Sequence, residues 1–269
     1  MVRHSLKARR LRVASVEPLT PRMRRVVLAG PDLADFTSLA PEDHVKLFFP
    51  RPGEAHADLP LVGPLGMVAN RLGGRKLQGR DYTPHGFDAA RQELSIDFFL
   101  HDGEGVASSW VARAKTGDEL GVLGPRGSYV TSERFGEYLL VGDETALPEI
   151  EGRLRVLEAG SRALVVLVAS SELERRALTS PAHLDVRWIF RNGRVGAELV
   201  RTVADRVQSS FAGFAWLAGE AEEVRGVYDL LVRARGVERR RIHASGHWKQ
   251  GVENHDHHSV IEISRDGGR

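Results

Sequence analysis

The segment from Arg80 to Thr83 places an arginine, a tyrosine and a threonine within four residues. A guanidinium can hold a phosphate, an aromatic ring can lie against a flat ligand, and a hydroxyl can bond to a ring nitrogen. In a strand, Arg80 and Tyr82 would share one face because side chains alternate. Taken alone, however, the segment is more typical of an edge strand with an exposed Arg and a core Tyr.

A second candidate segment combines a strand end, a glycine-containing turn with Gly103 and a predicted helix that begins near Val106. Its members are Asp97, Phe98, His101, Gly105, Ala107, Ser108 and Trp110. Helix N-termini with small residues bind phosphates because their N–H groups and the helix dipole favour an anion. A buried Trp anchoring a crossover helix, with Gly and Ser as caps, explains the same residues equally well.

The third candidate segment, Gly142 to Pro148, lies where a predicted strand meets a predicted helix, and it contains Asp143, Thr145 and Ala146. Ligands bind at such carboxyl ends of parallel strands. The chain has no GxGxxG motif, so the standard dinucleotide fingerprint is absent. For Asp143 alone, a helix cap is the favoured interpretation.

Short strands must position the first two segments. Alternation is clearest in Glu93–His101, where Leu94 and Ile96 share a face, as in a half-buried antiparallel strand. The predicted strands are Arg10–Val16, Arg22–Leu28, His44–Phe49, Gly79–Thr83, Glu93–His101 and Glu119–Leu123. Six short strands with turn signals favour a small barrel or sandwich. The Gly-rich stretch between Leu59 and Gly79 is interpreted as a loop or lid.

The second half of the chain has a different pattern. Its apolar runs lack alternation, as expected of parallel strands covered on both faces: Tyr138–Val141, Ala163–Ala169, Val186–Phe190 and Phe214–Ala218. Helical periods separate several of these runs, so the pattern predicts an α/β domain with a mostly parallel sheet. The boundary is expected near 132–136, which gives domains 1–133 and 134–269.

The composition limits the chemistry that side chains can do. The chain has 269 residues, a formal net charge of +2 and no cysteine. The absence of cysteine excludes disulfides, iron–sulfur ligation and thiol catalysis, so any redox reaction needs a bound cofactor. The balanced charge argues against nucleic-acid binding. No signal peptide or membrane span is recognised, so a cytoplasmic protein without membrane insertion is expected.

In this order and at these spacings, the three segments resemble the siderophore-interacting protein family. Members of that family are relatives of ferredoxin–NADP reductase that reduce siderophore iron with bound FAD. The resemblance extends over nearly the whole chain, because the segments Trp216–Glu220 and Ser245–Gly251 also match the family pattern. Two positions depart from it: His85 stands where the family usually has Arg, and His247 replaces a Tyr.

The resemblance implies a six-stranded antiparallel Greek-key β-barrel that binds FAD, followed by an α/β domain that binds NADH or NADPH. Arg80 would hold the flavin phosphate, Tyr82 would flank the isoalloxazine, and Thr83 would bond near its reactive edge. No catalytic side chain is expected, because FAD carries the chemistry. The implied cofactor-binding residues are Arg80, Tyr82, Thr83, Pro84, His85, Asp97, Phe98, His101, Gly105, Ala107, Ser108, Trp110, Asp143, Thr145, Ala146, Trp216, Gly219 and Glu220.

The implied substrate is a ferric siderophore, which cationic side chains would attract without binding the iron. The substrate-binding residues would be Lys46, Arg241 and Lys249. The tail Asn254–His258 is interpreted as a solvated segment rather than a metal site, and no protein-bound metal is expected. Two alternatives stay open: a general flavin or ferredoxin reductase, and a non-catalytic ferric-chelate-binding protein. The nicotinamide used, the siderophore type and the oligomeric state are also open.

Overall fold

The computed structural model describes residues 2–63, 66, 77–101, 105–130, 133–191 and 196–252. The chain divides into two compact units, Met1–Ser132 and Glu133–Arg269. Gly103, most of the stretch interpreted as a lid and the tail Asn254–His258 lie outside the described residues. Within those residues, no helix is long and apolar enough to cross a membrane.

Antiparallel strands build the first unit. In chain order they are β1 (Val2–Arg3), β2 (Ala8–Pro18), β3 (Met23–Ala29), β4 (Val45–Phe48), β5 (Gly79–Tyr82), β6 (Pro84–Asp88), β7 (Glu93–Phe99), β8 (Glu119–Leu123) and β9 (Gly127–Ser128). Seven of them form one sheet in the order β5-β4-β8-β2-β3-β7-β6, while β1 pairs with β9. The predicted strands lie within this sheet, with ends shifted by a few residues.

In the part of the chain that the structure describes, this sheet has seven strands where six were predicted, because the chain continues past Thr83 into β6. Its first residue is Pro84, which lacks an N–H and is tolerated at the start of an edge strand. The sequence of β6 shows no alternation that would have predicted it. The two edges of the sheet, β5 and β6, are separated along the chain by Thr83 alone. The sheet therefore curls back on itself.

The core of the first unit lies inside this curled sheet. Its buried members come from alternate positions of the strands and include Leu11, Val26, Leu28, Val45, Leu47, Leu94, Ile96, Phe98 and Val122. A short helix, α1 (Val106–Val111), adds Trp110, whose ring lies 6.1 Å from that of Phe98 and 5.8 Å from that of Phe49. Aromatic packing thus fixes α1 against the end of the strand that precedes it.

The second unit alternates strands and helices. Its elements are β10 (Glu137–Asp143), α2 (Leu147–Val156), β11 (Arg162–Ala169), β12 (His183–Phe190), α3 (Gly196–Arg206), β13 (Phe214–Glu220), α4 (Ala221–Asp229) and β14 (Ile242–Trp248). The strands form a parallel sheet in the order β12-β11-β10-β13-β14, which confirms the predicted α/β architecture. Buried apolar residues cover both faces of the sheet, as the unalternating runs predicted.

All five strands of this sheet end at one edge, which we call the carboxyl edge. It carries the strand ends Asp143, Ala169, Phe190, Glu220 and Trp248. The strand order reverses between β10 and β13, because β11 and β12 lie on one side of β10 while β13 and β14 lie on the other. Parallel α/β sheets bind ligands in the crevice outside the strand ends at such a reversal.

Candidate functional site

Arg80 and Tyr82 lie on β5, opposite the buried residues Leu47 and Val45 of β4. Tyr82 packs against the core, with its ring 4.6 Å from that of Phe98. Burial raises the pKa of the Tyr82 phenol, although the nearby charge of Arg80 acts in the opposite direction. The phenol is therefore neutral at physiological pH, and its ring is held in one position by the core.

The Arg80 guanidinium folds back onto the backbone of the preceding residue. Among the residues that the structure describes, it donates one hydrogen bond, from Nη1 to the Gly79 carbonyl at 2.8 Å. The guanidinium has five N–H donors, so most of them can serve a ligand. Thr83 is 9% exposed and lies between the two edge strands of the curled sheet. The predicted cation, ring and hydroxyl are thus placed on consecutive positions of one sheet edge.

Asp97 contacts a residue that the sequence analysis missed. Its buried carboxylate accepts two parallel hydrogen bonds from Arg25, at 2.7 Å from Nε and 2.8 Å from Nη2. His85 is the second neighbour, with Nδ1 3.8 Å from Oδ2 of Asp97. Arg25 on β3 lies directly opposite Asp97 on β7, so the pairing of these two strands would have identified it. The two hydrogen bonds from Arg25 hold the Asp97 carboxylate in place, and His85 lies beside it.

Gly105 precedes α1 and lies directly against His101. A Cβ atom at Gly105 would be 2.5 Å from Cε1 of the imidazole, so no larger residue fits without displacing the ring. Ala107 and Ser108 follow in the first turn and are buried. The side chains of Phe98 and Trp110 also lie in the core, 0% and 4% exposed. Tight packing accounts for both side chains, and their predicted cofactor contacts stay predictions.

Asp143 joins three strand ends at the carboxyl edge. Its Oδ2 accepts hydrogen bonds from the Glu220 amide at 3.0 Å and from the Trp248 indole at 2.8 Å. Its Oδ1 accepts from the amide and the hydroxyl of Thr145, at 2.9 and 2.6 Å. Both carboxylate oxygens are therefore satisfied by the protein. Asp143 holds the ends of β10, β13 and β14 together, and the side chain of Thr145 beside it is partly accessible.

Gly219 and Glu220 end β13 beside Asp143. Gly219 has φ 138°, and a Cβ there would lie 2.8 Å from Oδ2 of Asp143, so glycine is needed on both grounds. The Glu220 carboxylate caps α4 by accepting from the amides of Glu222 and Glu223, at 2.7 and 3.0 Å. These residues shape the edge with backbone and cap geometry.

Ala146 and Trp216 do not present side chains at the carboxyl edge. Ala146 is fully buried as the cap residue of α2. Trp216 lies in the middle of β13, is 0% exposed and stacks on His243 at a 4° angle with 6.1 Å between the rings. The indole belongs to the core below the edge, and the predicted cofactor contact of Trp216 stays a prediction.

Arg191 follows β12 and was also missed by the sequence analysis. Its guanidinium donates two hydrogen bonds to Glu223, at 2.6 and 3.0 Å, and lies over the Trp248 ring at 5.5 Å. Burial would lower the pKa of Arg191, but hydrogen bonding and charge from Glu223 raise it overall. The isolated Arg191-Asn192 dipeptide gave no sequence signal, since the partner Glu223 comes from a different strand–helix connection.

The predicted substrate residues lie in different places. Lys46 faces Asp81 across β4 and β5, with Nζ 2.9 Å from Oδ2. Lys249 follows β14 at the carboxyl edge and donates to Glu222 at 2.7 Å. Arg241 precedes β14, so it lies at the opposite edge, about 26 Å from Lys249 along an extended strand. There it donates to the Ala212 carbonyl and lies over the Phe135 ring. Arg241 therefore does not share a site with Lys249.

Two family models match the chain. The model described as "Siderophore-interacting FAD-binding domain" matches residues 12–129, and "Siderophore-interacting protein" matches 135–251. The NADPH-dependent ferric-chelate reductase of Escherichia coli is 37% identical, over 92% of this chain and 95% of its own length. The chain belongs to the siderophore-interacting protein family.

Solved structures agree with that assignment. A siderophore utilization protein from T. fusca is 36% identical, with a TM-score of 0.83 over 95% of this chain and 98% of its own. The siderophore-interacting protein SipS from Aeromonas hydrophila is 28% identical, with a TM-score of 0.78 over 98% and 97% of the two chains. Ferredoxin–NADP reductase from Plasmodium falciparum, 12% identical with a TM-score of 0.60 over 89% and 96% of the two chains, shares the fold.

The residues of this siderophore-interacting protein fit FAD in their chemistry. The N–H donors of Arg80 suit a phosphate, and the ring of Tyr82, which packs against the core, suits a planar ring system. Because position 105 is a glycine, the backbone before α1 carries no side chain that would block a ligand. FAD is the cofactor of this protein, since residues 12–129 match a family model described as FAD-binding. The first unit carries the match to the FAD-binding model.

Proposed function

We propose that this protein reduces ferric siderophores, taking electrons from NADH or NADPH through FAD and releasing iron(II). The observation that carries the proposal is the placement of Arg80, Tyr82 and Thr83 along one edge of a curled β-sheet in a member of this family. The similarity to the Escherichia coli ferric-chelate reductase, which extends over nearly the whole of both chains, supports it.

The FAD site belongs to the first unit in this proposal. We take β5 and β6 as two halves of one strand bent at Thr83, which would close a six-stranded Greek-key barrel. Arg80 holds the flavin phosphate, Tyr82 supports the ring and Thr83 donates to its edge. Around them, the site includes the backbone and accessible atoms of Pro84, His85, His101, Gly105, Ala107 and Ser108. FAD supplies the step that no side chain can perform, which is to accept two electrons as hydride and release them singly.

The second unit binds the nicotinamide nucleotide in this proposal, at the carboxyl edge where the strand order reverses. Thr145 offers a partly accessible side chain there, and Gly219 shapes the edge by letting β13 approach the Asp143 carboxylate closely. Asp143 and Glu220 act indirectly, because their carboxylates are occupied in joining the strand ends. The domains would thus be 1–133 for FAD and 134–269 for NAD(P)H.

The substrate needs no direct ligand from the protein. Iron(III) is held by hard oxygen donors, and after one-electron reduction those donors bind the larger, softer ion far less strongly. The protein therefore has only to attract and orient the chelate, for which Lys46 and Lys249 are the proposed cations. We place this reaction in the cytoplasm, where reduced nicotinamides are available, and expect no nucleic-acid partner.

An anaerobic experiment tests the proposal. FAD-loaded protein is mixed with NADH or NADPH and a panel of ferric siderophores, and iron(II) is followed with a chromogenic trap. Iron(II) formation that requires protein, nicotinamide and FAD together is expected. A general flavin reductase would oxidise nicotinamide without reducing the chelates, and a colourless protein that takes up no FAD would favour the chelate-binding alternative.

A further inference from the structure

Lys249 lies at the carboxyl edge beside a carboxylate that the proposed reaction does not use. Its Nζ donates to Oε1 of Glu222 at 2.7 Å, and Nε of Arg225 lies 3.8 Å from Oε2 of the same side chain. Lys249 itself is held in a tight turn, because the Val252 amide donates to its carbonyl at 3.0 Å. The lysine therefore meets an incoming ligand with its charge already balanced by Glu222.

Glu222 is exposed, unlike the acidic side chains that are buried at this edge. Its side chain is 54% exposed. The neighbouring acids are buried and mostly engaged in internal contacts: Asp143, Glu144, Glu149 and Glu220, each below 9% exposed. Glu172, which follows β11 at the same edge, is also exposed, at 75%, but Glu222 is the exposed carboxylate that pairs with Lys249.

The hydrogen bond from Lys249 lowers the pKa of Glu222, so the carboxylate is ionised at neutral pH. A fixed negative charge beside the proposed chelate-binding lysine acts differently on the two common siderophore classes. Each catecholate loses two protons and each hydroxamate loses one. An iron(III) tris-catecholate complex therefore carries a triple negative charge, whereas an iron(III) trihydroxamate core carries none. Repulsion from Glu222 acts on the first class alone.

We propose that Glu222 selects chelates by charge: it disfavours tris-catecholates at Lys249 and leaves low-charge trihydroxamate complexes as the preferred substrate class. This inference rests on the proposed ferric-chelate reductase function. Glu222 is a specificity-determining residue in this scheme. It takes no part in electron transfer and acts only through its charge and its hold on Lys249.

Gallium(III) complexes test the inference without electron transfer, because gallium(III) matches the charge of iron(III) and is not reduced. Affinities of a gallium trihydroxamate and a gallium tris-catecholate are measured by calorimetry for FAD-loaded wild type and Glu222→Gln. Wild type should bind the trihydroxamate more tightly. The substitution should tighten tris-catecholate binding by about fivefold and change trihydroxamate binding by less than about twofold. The gain should vanish at about 1 M salt, where the Debye length is about 3 Å.

Glu238→Gln is the matched control. Glu238 is also exposed and also pairs with a cation, Arg240, but it lies before β14 at the opposite edge of the sheet. Its substitution removes the same charge and should leave both affinities unchanged. No change in Glu222→Gln, an equal change for both chelates, or the same change in Glu238→Gln would overturn the inference.

The outcomes separate this inference from the proposed function. A wild-type enzyme that reduces ferric chelates while Glu222→Gln leaves the charge preference unchanged would refute the role of Glu222 alone. A wild-type protein that holds FAD but binds neither gallium complex and reduces no ferric chelate would refute the proposed function, and the inference with it.

Discussion

His243 should make the second unit less stable as the pH falls from neutral to acidic. It lies on β14, stacked on the fully buried Trp216, and burial lowers its pKa from 6.5 to about 4, with the charges of Arg153 and His247 acting in the same direction. In the unfolded chain the imidazole regains its ordinary pKa, so the unfolded state binds more protons below pH 6.5. Protonation therefore favours unfolding, and the lost stability increases as the pH falls toward the folded-state pKa.

The size of the effect follows from the shift. A lowering of about 2.5 pKa units corresponds to at most about 3 kcal/mol once the pH is below both values. At pH 5 the expected loss is about 2 kcal/mol, and partial exposure of the imidazole makes this an upper limit. The assay is urea unfolding followed by tryptophan fluorescence, at several pH values between 7.5 and 5, for wild type and His243→Phe.

The substitution keeps an aromatic ring against Trp216 and removes the titrating group. Wild type should lose about 2 kcal/mol more than His243→Phe between pH 7.5 and pH 5. His183→Gln, which removes an exposed histidine at the start of β12, is the control and should keep the wild-type slope. Equal slopes for wild type and His243→Phe would refute the argument that His243 is buried and neutral.

Three further substitutions test the site. Arg80→Ala should lower FAD occupancy, measured from the visible absorbance of the purified protein, because the phosphate loses a charge-assisted partner; unchanged FAD content would refute that role. Arg25→Met should cost about 3 kcal/mol in urea unfolding, because it leaves the buried Asp97 carboxylate without its partner, whereas the exposed Arg10→Met should cost less than about 0.5 kcal/mol. Lys249→Ala should leave flavin reduction by nicotinamide intact and slow reduction of an anionic ferric chelate, most strongly at low salt; an equal loss in both half-reactions would point to a folding defect.

Periodicity predicted the architecture because burial follows the strand and helix repeats directly. The unalternating runs of the second half became a parallel sheet with both faces covered, and alternation placed Leu94, Ile96 and Phe98 in the core of the first. The missed strand, β6, begins with a proline and has no apolar repeat, so only its pairing with β7 defines it. Local sequence carries no information about such a pairing.

The sequence groups residues that are neighbours along the chain, but it does not indicate which residues are neighbours only in space. Arg80 and Tyr82 are close together because β5 carries both, and Thr83 follows directly in sequence. Arg25 and Arg191 were missed because each meets its partner across the fold, opposite Asp97 in one case and beside Glu223 in the other. These two pairs are long-range ion pairs that only the folded chain brings together.

Arg241 and Trp216 show how the position of a residue along its strand limits what its side chain can reach. A family-like segment suggested a functional role for each, but the position along the strand decides what a side chain can reach. Trp216 lies at the centre of its strand and is sealed in the core, and Arg241 precedes β14 while Lys249 follows it. Residue type and motif therefore suggest cofactor or substrate binding, and the position of a residue relative to its strand end decides whether its side chain can reach a ligand.

The most direct test of the central claim is the stoichiometry of iron reduction. FAD-loaded protein is mixed anaerobically with limiting NADPH and an excess of ferric trihydroxamate, and both nicotinamide oxidation and trapped iron(II) are measured. The account predicts two iron(II) ions for each nicotinamide oxidised, because a hydride carries two electrons and each iron accepts one. Nicotinamide oxidation without iron(II), or iron(II) formation that persists when FAD has been removed, would contradict it.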